Sequence, residues 1–147
     1  MRIVIDTNIA FSAILNTNSK ISRIILQPKS KLNLYSTEHL ELELHEHWDK
    51  LKKVSKYSDI ELHKTSILII SQIRFINVEF IPRELFIRAI KLTSDIDIDD
   101  TEFVALSEHI KGKLWTGDKE LTKGLKKKNW NHLISTDELY KLIVKGL

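Results

Sequence analysis

Four acidic residues offer the chemistry in this sequence: Asp6 directly after Ile3-Val4-Ile5, Glu43 in an acidic helical pattern, Asp100 ahead of Thr101-Glu102-Phe103, and Asp118 in Thr116-Gly117-Asp118. Like charges about 4 Å apart repel by several kcal/mol at the effective dielectric of a protein surface. Carboxylates that converge therefore need protonation or a divalent cation. The chain has no cysteine, so the donors are hard oxygens, which favour Mg²⁺ or Mn²⁺ held by one or two carboxylates and several waters. Such an ion neutralises phosphodiester charge and lowers the pKa of bound water, so the expected chemistry is hydrolysis of a nucleic-acid backbone without a side-chain nucleophile. Taken singly, each residue also suits a turn or a helix cap, as Asp99 and Thr101 do.

The elements that must position these groups read as follows. Residues 2–6 form a β-branched run ending abruptly in Asp6-Thr7-Asn8, the pattern of a buried parallel strand whose C-terminal end opens onto a site. Helical spacing recurs over residues 9–15 and 21–26, with Pro28 closing the second stretch, and residues 31–36 read as a second strand. Thr37 caps a long amphipathic helix with Leu40, Leu44, Trp48 and Leu51 on one stripe. Glu43, three residues after Leu40, borders that stripe, but Glu38, Glu41 and Glu46 share the helix. Ser58 opens a helix carrying an apolar block through Ile73, residues 76–80 read as a strand, and Pro82 starts a helix ending near Thr93. Asp97, Asp99 and Asp100 then crowd the approach to a helix over residues 101–110, which Lys111-Gly112 ends. Residues 113–116 form a strand turning away at Gly117-Asp118, and a short strand at 132–134 precedes a capping box, Ser135 to Glu138, that opens the final helix. Strand ends on one edge of a parallel sheet converge, which would bring Asp6, Asp100 and Asp118 together.

With 147 residues, 42% hydrophobic and 29% charged, the chain has the composition of one α/β domain, residues 1–147, with a largely parallel sheet. Zinc fingers, disulfide scaffolds and cysteine nucleophiles are excluded. The aliphatic run Ile67-Leu68-Ile69-Ile70 is far short of the roughly 20 residues of a membrane span, and Asp6 interrupts any leader-like apolar start, so a cytoplasmic protein without a membrane partner is expected. A net charge of +3 from 23 Lys and Arg against 20 Asp and Glu permits a polyanionic partner without demanding one.

Residues 1–8, Met-Arg-Ile-Val-Ile-Asp-Thr-Asn, together with Asp97-Ile98-Asp99-Asp100-Thr101-Glu102-Phe103 and Leu114-Trp115-Thr116-Gly117-Asp118-Lys119, resemble the PIN-domain family of metal-dependent nucleases along nearly the whole chain. The resemblance implies a three-layer α/β/α sandwich and a Mg²⁺- or Mn²⁺-dependent endoribonuclease acting on single-stranded RNA, with 5′-phosphate and 3′-hydroxyl products. It selects Glu43 among the glutamates and Asp100 among the loop aspartates, giving Asp6, Glu43, Asp100 and Asp118 as the acidic set. By the same resemblance Asn8 and Thr116 would orient ligands or the attacking water, and Asp97 would serve as an outer or alternative ligand. Many small proteins of this family are toxins paired with a separate-chain antitoxin, which makes a toxin the implied role.

Weaker patterns stand beside plainer readings. Lys119, Lys123, Lys126, Lys127 and Lys128, with Trp130 behind them, could form a cationic rim gripping phosphates and stacking a base, or a solvated face with Trp130 in the core. Trp48 and Trp115 are expected in the core. His39, Glu43 and His47 lie four apart and could share a zinc-binding face, although a helix surface with partly buried histidines is the simpler account. The block 67–70 could serve a homodimer or antitoxin interface, and the basic run Lys50, Lys52, Lys53 and Lys56 reads as a helix end. Two rival functions remain in view. An aspartate-based phosphatase or receiver domain is one, although Asp6-Thr7-Asn8 lacks a second aspartate two positions on. The other is a non-catalytic PIN-like module that binds RNA or protein.

Overall fold

The computed structural model describes residues 1–28 and 31–144. Strands β1 (Arg2–Ile5), β2 (Asn33–Thr37), β3 (Ile73–Ile76), β4 (Lys113–Trp115) and β5 (Leu133–Ile134) form one sheet in the order β3-β2-β1-β4-β5. Every pairing is parallel; Val4 of β1 lies opposite Tyr35 of β2 and Leu114 of β4. Ile3, Val4 and Ile5 point alternately to the two faces, yet all are 0% exposed, so helices cover both sides of the sheet. In one helical group α1 (Thr7–Leu15) packs on α2 (Lys20–Ile25), α3 (Glu38–Glu46), α4 (Trp48–Ser55) and α5 (Asp59–Ile70). In the other, α7 (Thr101–Ile110) packs on α6 (Arg83–Thr93) and lies along β1, β2 and β4. The result is the three-layer α/β/α sandwich expected.

The chain order places the site. From β1 the connections lead first to β2 on one side and later to β4 on the other, so the C-terminal ends of β1 and β4 flank a topological switch point, where α/β sheets open a crevice. Asp6 leaves β1 and Asp118 follows β4 at that edge.

Several elements differ from the sequence reading. The expected long helix is broken at His47, whose backbone lies at φ −102°, ψ 16°, with no glycine or proline to announce it. The stripe survives the break: Leu40 and Leu51 are buried, and Leu44 and Trp48 pack against the core. The third strand is Ile73–Ile76, not residues 76–80, because Leu34 to Thr37 of β2 pair with Ile73 to Ile76. Asn77 then accepts the Glu79 amide and turns the chain into a 3₁₀ turn over Val78–Phe80. Residues Lys119–Lys127 form a helix, α8, that the sequence reading had not assigned, and the final helix is a short α9 (Thr136–Leu139) running into a π turn over Tyr140–Val144.

The core holds Trp115 at 0% exposure, as expected, whereas Trp48 is only half-buried and its ring lies 4.6 Å from that of His63. Within the block 67–70, Ile69 is buried but Ile67 and Leu68 face solvent. Among the described residues no helix is long and apolar enough to cross a membrane.

Candidate active site

Asp6 sits where β1 ends, as the N-cap of α1. Its Oδ1 accepts the Ile9 amide at 3.0 Å and its Oδ2 accepts the Thr116 hydroxyl at 2.5 Å. The cap and the chemistry are thus compatible, since each oxygen retains a further lone pair. Burial pushes the Asp6 carboxyl up to about 6, against the opposing pull of the Thr116 and Ile9 hydrogen bonds and with the help of nearby Asp118 and Glu43.

Asp118 caps α8, accepting the amides of Glu120 and Leu121 through Oδ1 at 3.0 and 3.1 Å. Its own amide donates to Thr116 Oγ1 at 3.1 Å. Thr116 therefore joins both aspartates, holding Asp6 by its proton and Asp118 by its lone pair.

Asp100 closes a 3₁₀ turn (Ile98–Asp100) and stands at the start of α7. Its Oδ2 is buried with no hydrogen-bond partner among the described residues. Desolvation, then the charges of Asp97, Asp6, Asp118 and Glu43, push its carboxyl up to about 7. Asp97 spends one oxygen capping the same turn, accepting the Asp99 amide at 3.0 Å.

Glu43 is held on α3 by the Thr7 hydroxyl, which donates to its Oε1 at 2.7 Å. His39 Nε2 lies 2.9 Å from the same oxygen, close but without hydrogen-bond alignment, and its Nδ1 is 3.5 Å from Glu102 Oε2. Burial raises the Glu102 carboxyl while His39 draws it down.

Asp6, Asn8, Glu43, Asp97, Asp100 and Asp118 line one cavity of about 170 Å³, together with Thr7, Asp99 and Phe103. Thr116 reaches it from behind, through Asp6. Thr7 was missed by sequence reasoning, although it lies inside the Asp-Thr-Asn run; a threonine beside a strand-end aspartate is an ordinary helix start until its partner, 36 residues away, is known.

The simpler of the two readings of His39, Glu43 and His47 holds: His47, at the C-cap of α3, packs its ring edge-on against Phe11 at 6.0 Å, and among the described residues no zinc face forms. Of the five lysines, Lys128 is withdrawn into an ion pair with Asp95 and a hydrogen bond to the Leu92 carbonyl. Trp130 is 5% exposed, with its indole donating to Glu108 Oε1 at 2.9 Å, so it is a core residue and not a stacking platform. Lys119, Lys123, Lys126 and Lys127 instead line a second, larger cavity beside Thr116 and Gly117.

The donor set suits a hard divalent ion. The smaller cavity's charged groups are all carboxylates, and the orphaned Asp100 Oδ2 lacks the positive partner that a buried carboxylate requires. Among the described residues no three His, Asp or Glu side chains are drawn closely enough to hold an ion unaided.

The family model of the PIN domain matches residues 4–138. Among solved structures, a chain of the crystal structure of VapBC2 from Rickettsia felis bound to a DNA fragment from their promoter superposes with a TM-score of 0.63 at 15% identity, covering 92% of this chain and 97% of that one. At that identity the likeness is one of fold. No curated protein matches the sequence.

Proposed function

The chain belongs to the PIN-domain family, and from that premise and the carboxylate cavity we propose that it is a Mg²⁺- or Mn²⁺-dependent endoribonuclease cutting single-stranded RNA. The observation that carries the reading is the convergence of Asp6, Glu43, Asp100 and Asp118, from four separate segments, on one cavity at the sheet's switch point. Asp6, Asp100 and Asp118, with Glu43 or Asp97, would hold the ion. When bound, the metal neutralises the phosphodiester and acidifies a water.

The chain's own residues prepare the site for that reaction. Thr116 and the Ile9 amide fix both oxygens of Asp6, so its remaining lone pairs point in set directions. Thr7 fixes Glu43 Oε1 and leaves Oε2 to take the proton of an attacking water. Asn8, in the first turn of α1, supplies an amide donor and acceptor at the cavity rim for a phosphate oxygen or that water. Asn8 stands two positions after Asp6, where a phosphatase of that type places its second aspartate, which favours metal-assisted hydrolysis over the phosphatase or receiver alternative.

The fold shared with a chain of the R. felis complex supports a further reading: a toxin restrained by an antitoxin on a separate chain. The test is incubation of labelled single-stranded RNA with the purified chain in Mg²⁺, Mn²⁺ or EDTA, followed by end-group analysis. Cutting in either metal, absent in EDTA, with 5′-phosphate ends, supports the reading. Cutting that persists in EDTA overturns the metal mechanism, and RNA binding without cutting points to the non-catalytic module.

A further inference from the structure

The larger cavity, of about 760 Å³, is lined by Thr116 and Gly117, the two residues that precede Asp118 of the carboxylate cavity. One side of it is a face of α8. Lys119, Lys123, Lys126 and Lys127 recur there at helical spacing, while Leu121 and Leu125 anchor the opposite face in the core at 0% exposure. At 1.5 Å per residue the stripe runs about 12 Å along the helix axis. The other side is formed by Ser135, Thr136 and Asp137.

Helix electrostatics do not account for this stripe. Lys126 and Lys127 suit a helix C-terminus, but Lys119 occupies the first helical position, where the dipole disfavours a cation. Among the described residues no ion pair engages any of the four, whereas the next lysine, Lys128, is paired with Asp95. The one carboxylate in the cavity wall, Asp137, is itself matched by Lys20 at 3.4 Å. Uncompensated positive charge is thus concentrated on one wall of a cavity that opens beside the candidate cleavage site.

We propose that this lysine-lined cavity is the backbone-binding track for the nucleic-acid strand flanking the cleaved bond. The inference rests on the nuclease reading for its substrate, RNA, but its own evidence is the α8 face. With Trp130 buried, no aromatic side chain among the described residues lines the cavity. The track therefore grips phosphates without reading bases and does not distinguish ribose from deoxyribose, because phosphate contacts position a strand and base contacts specify it. A single strand is favoured over an acidic polypeptide because Thr116, which lines the lysine cavity, is hydrogen-bonded to both Asp6 and Asp118 of the carboxylate cavity, so a strand held along α8 lies beside the candidate cleavage site.

The test uses the full chain carrying Asp6→Asn, so that the strand is not consumed, with a labelled mixed-sequence single strand of about 12 nucleotides. Binding is measured by anisotropy across a salt series with RNA, with DNA of the same sequence, and with a poly-glutamate peptide. Replacing Lys123, Lys126 and Lys127 by Gln should weaken RNA binding about tenfold or more and flatten the slope of log affinity against log salt by about two. DNA should behave the same, the peptide should bind poorly, and a charge-matched control with Lys53, Lys64 and Lys91, all exposed and away from both cavities, replaced by Gln should bind like the parent. In the otherwise wild-type chain the triple variant should lose kcat/KM on the long strand while cutting a trinucleotide as well as before.

Unchanged affinity and slope in the triple variant would overturn the track, as would peptide binding that depends on these lysines. The nuclease reading fails separately. If the Asp6→Asn chain binds strands through α8 but the wild-type chain cuts none of them in any metal, the track stands and the enzyme does not.

Discussion

The Thr116 hydroxyl donates to Asp6 Oδ2 at 2.5 Å and so ties the residue following β4 to the residue following β1. The same oxygen accepts the Asp118 amide, so a single threonine sets the spacing of two candidate ligands that lie 112 positions apart in the chain. Two strand ends meeting at a switch point create the crevice, and Thr116 fixes the carboxylates within it.

Removing that hydroxyl should be costly. Thr116→Val leaves Asp6 Oδ2 buried without its donor, a loss of about 1–3 kcal/mol. Thermal denaturation should show a lower Tm, and RNA cleavage should fall more steeply than stability. Thr116→Ser should recover most of both; damage in Ser without damage in Val would place the effect in the methyl group instead.

The stability of the metal-free protein should fall as pH rises. Asp6 is pushed up to about 6 and Asp100 to about 7, both above the unfolded value of 3.8. A carboxyl raised on folding binds its proton more tightly in the native state, so its contribution is complete below about pH 4 and is lost as pH climbs through 6 and 7. Asp59 and Asp95 shift the other way, but their contributions change only at acidic pH. In EDTA, Tm should therefore decline between about pH 5 and about pH 8, less so in Asp100→Asn, and Mg²⁺ should restore most of the lost stability at the alkaline end by binding the ionised form. A flat profile in EDTA would contradict the electrostatic account of the cavity.

Glu43 depends on a partner from another helix. Thr7→Val frees its Oε1 without altering any proposed ligand, and mutation of such supporting groups typically lowers metal affinity about 10–100-fold. Mn²⁺ titration by calorimetry should show weakened binding, with Tm changed little. Unaltered affinity would mean that Glu43 does not contribute to the ion's environment.

Two glycines should respond unequally to substitution. A Cβ on Gly112 would meet the Arg2 carbonyl oxygen at 2.7 Å, where β4 approaches β1, whereas one on Gly124 would meet the end of the Ile96 side chain. Backbone cannot step aside as a side chain can, so Gly112→Ala should lower stability by about 1–3 kcal/mol and Gly124→Ala by less, partly offset by helix propensity. Urea denaturation gives the comparison. The left-handed residue ending α7 is Lys111, at φ 55°, so Gly112 is needed for close approach to Arg2.

The sheet and its acidic edge were legible because they depend on local pattern. Ile3-Val4-Ile5 before Asp6 can hardly be other than a buried strand, and Asp118 follows the same logic. Legibility failed where tertiary partners decide. Ile73 to Ile76 continue the apolar block of α5 in sequence and become a strand only because β2 offers an edge. The turn at His47 carries no breaker residue, and the Thr7 to Glu43 hydrogen bond joins segments that no local spacing relates. Composition alone could not sort the basic residues after Asp118 either: burial of Trp130 and pairing of Lys128 divide that run into a core portion and an exposed cationic face.

The central claim is most directly tested by cleavage of a single-stranded RNA panel in Mg²⁺ and Mn²⁺ by the wild-type chain and by the Asp6→Asn and Asp118→Asn variants, each with its fold verified by circular dichroism. The account predicts metal-dependent cutting by the wild type and loss of about two or more orders of magnitude in rate in both folded variants. Cutting at the wild-type rate by a folded Asp6→Asn protein would contradict it.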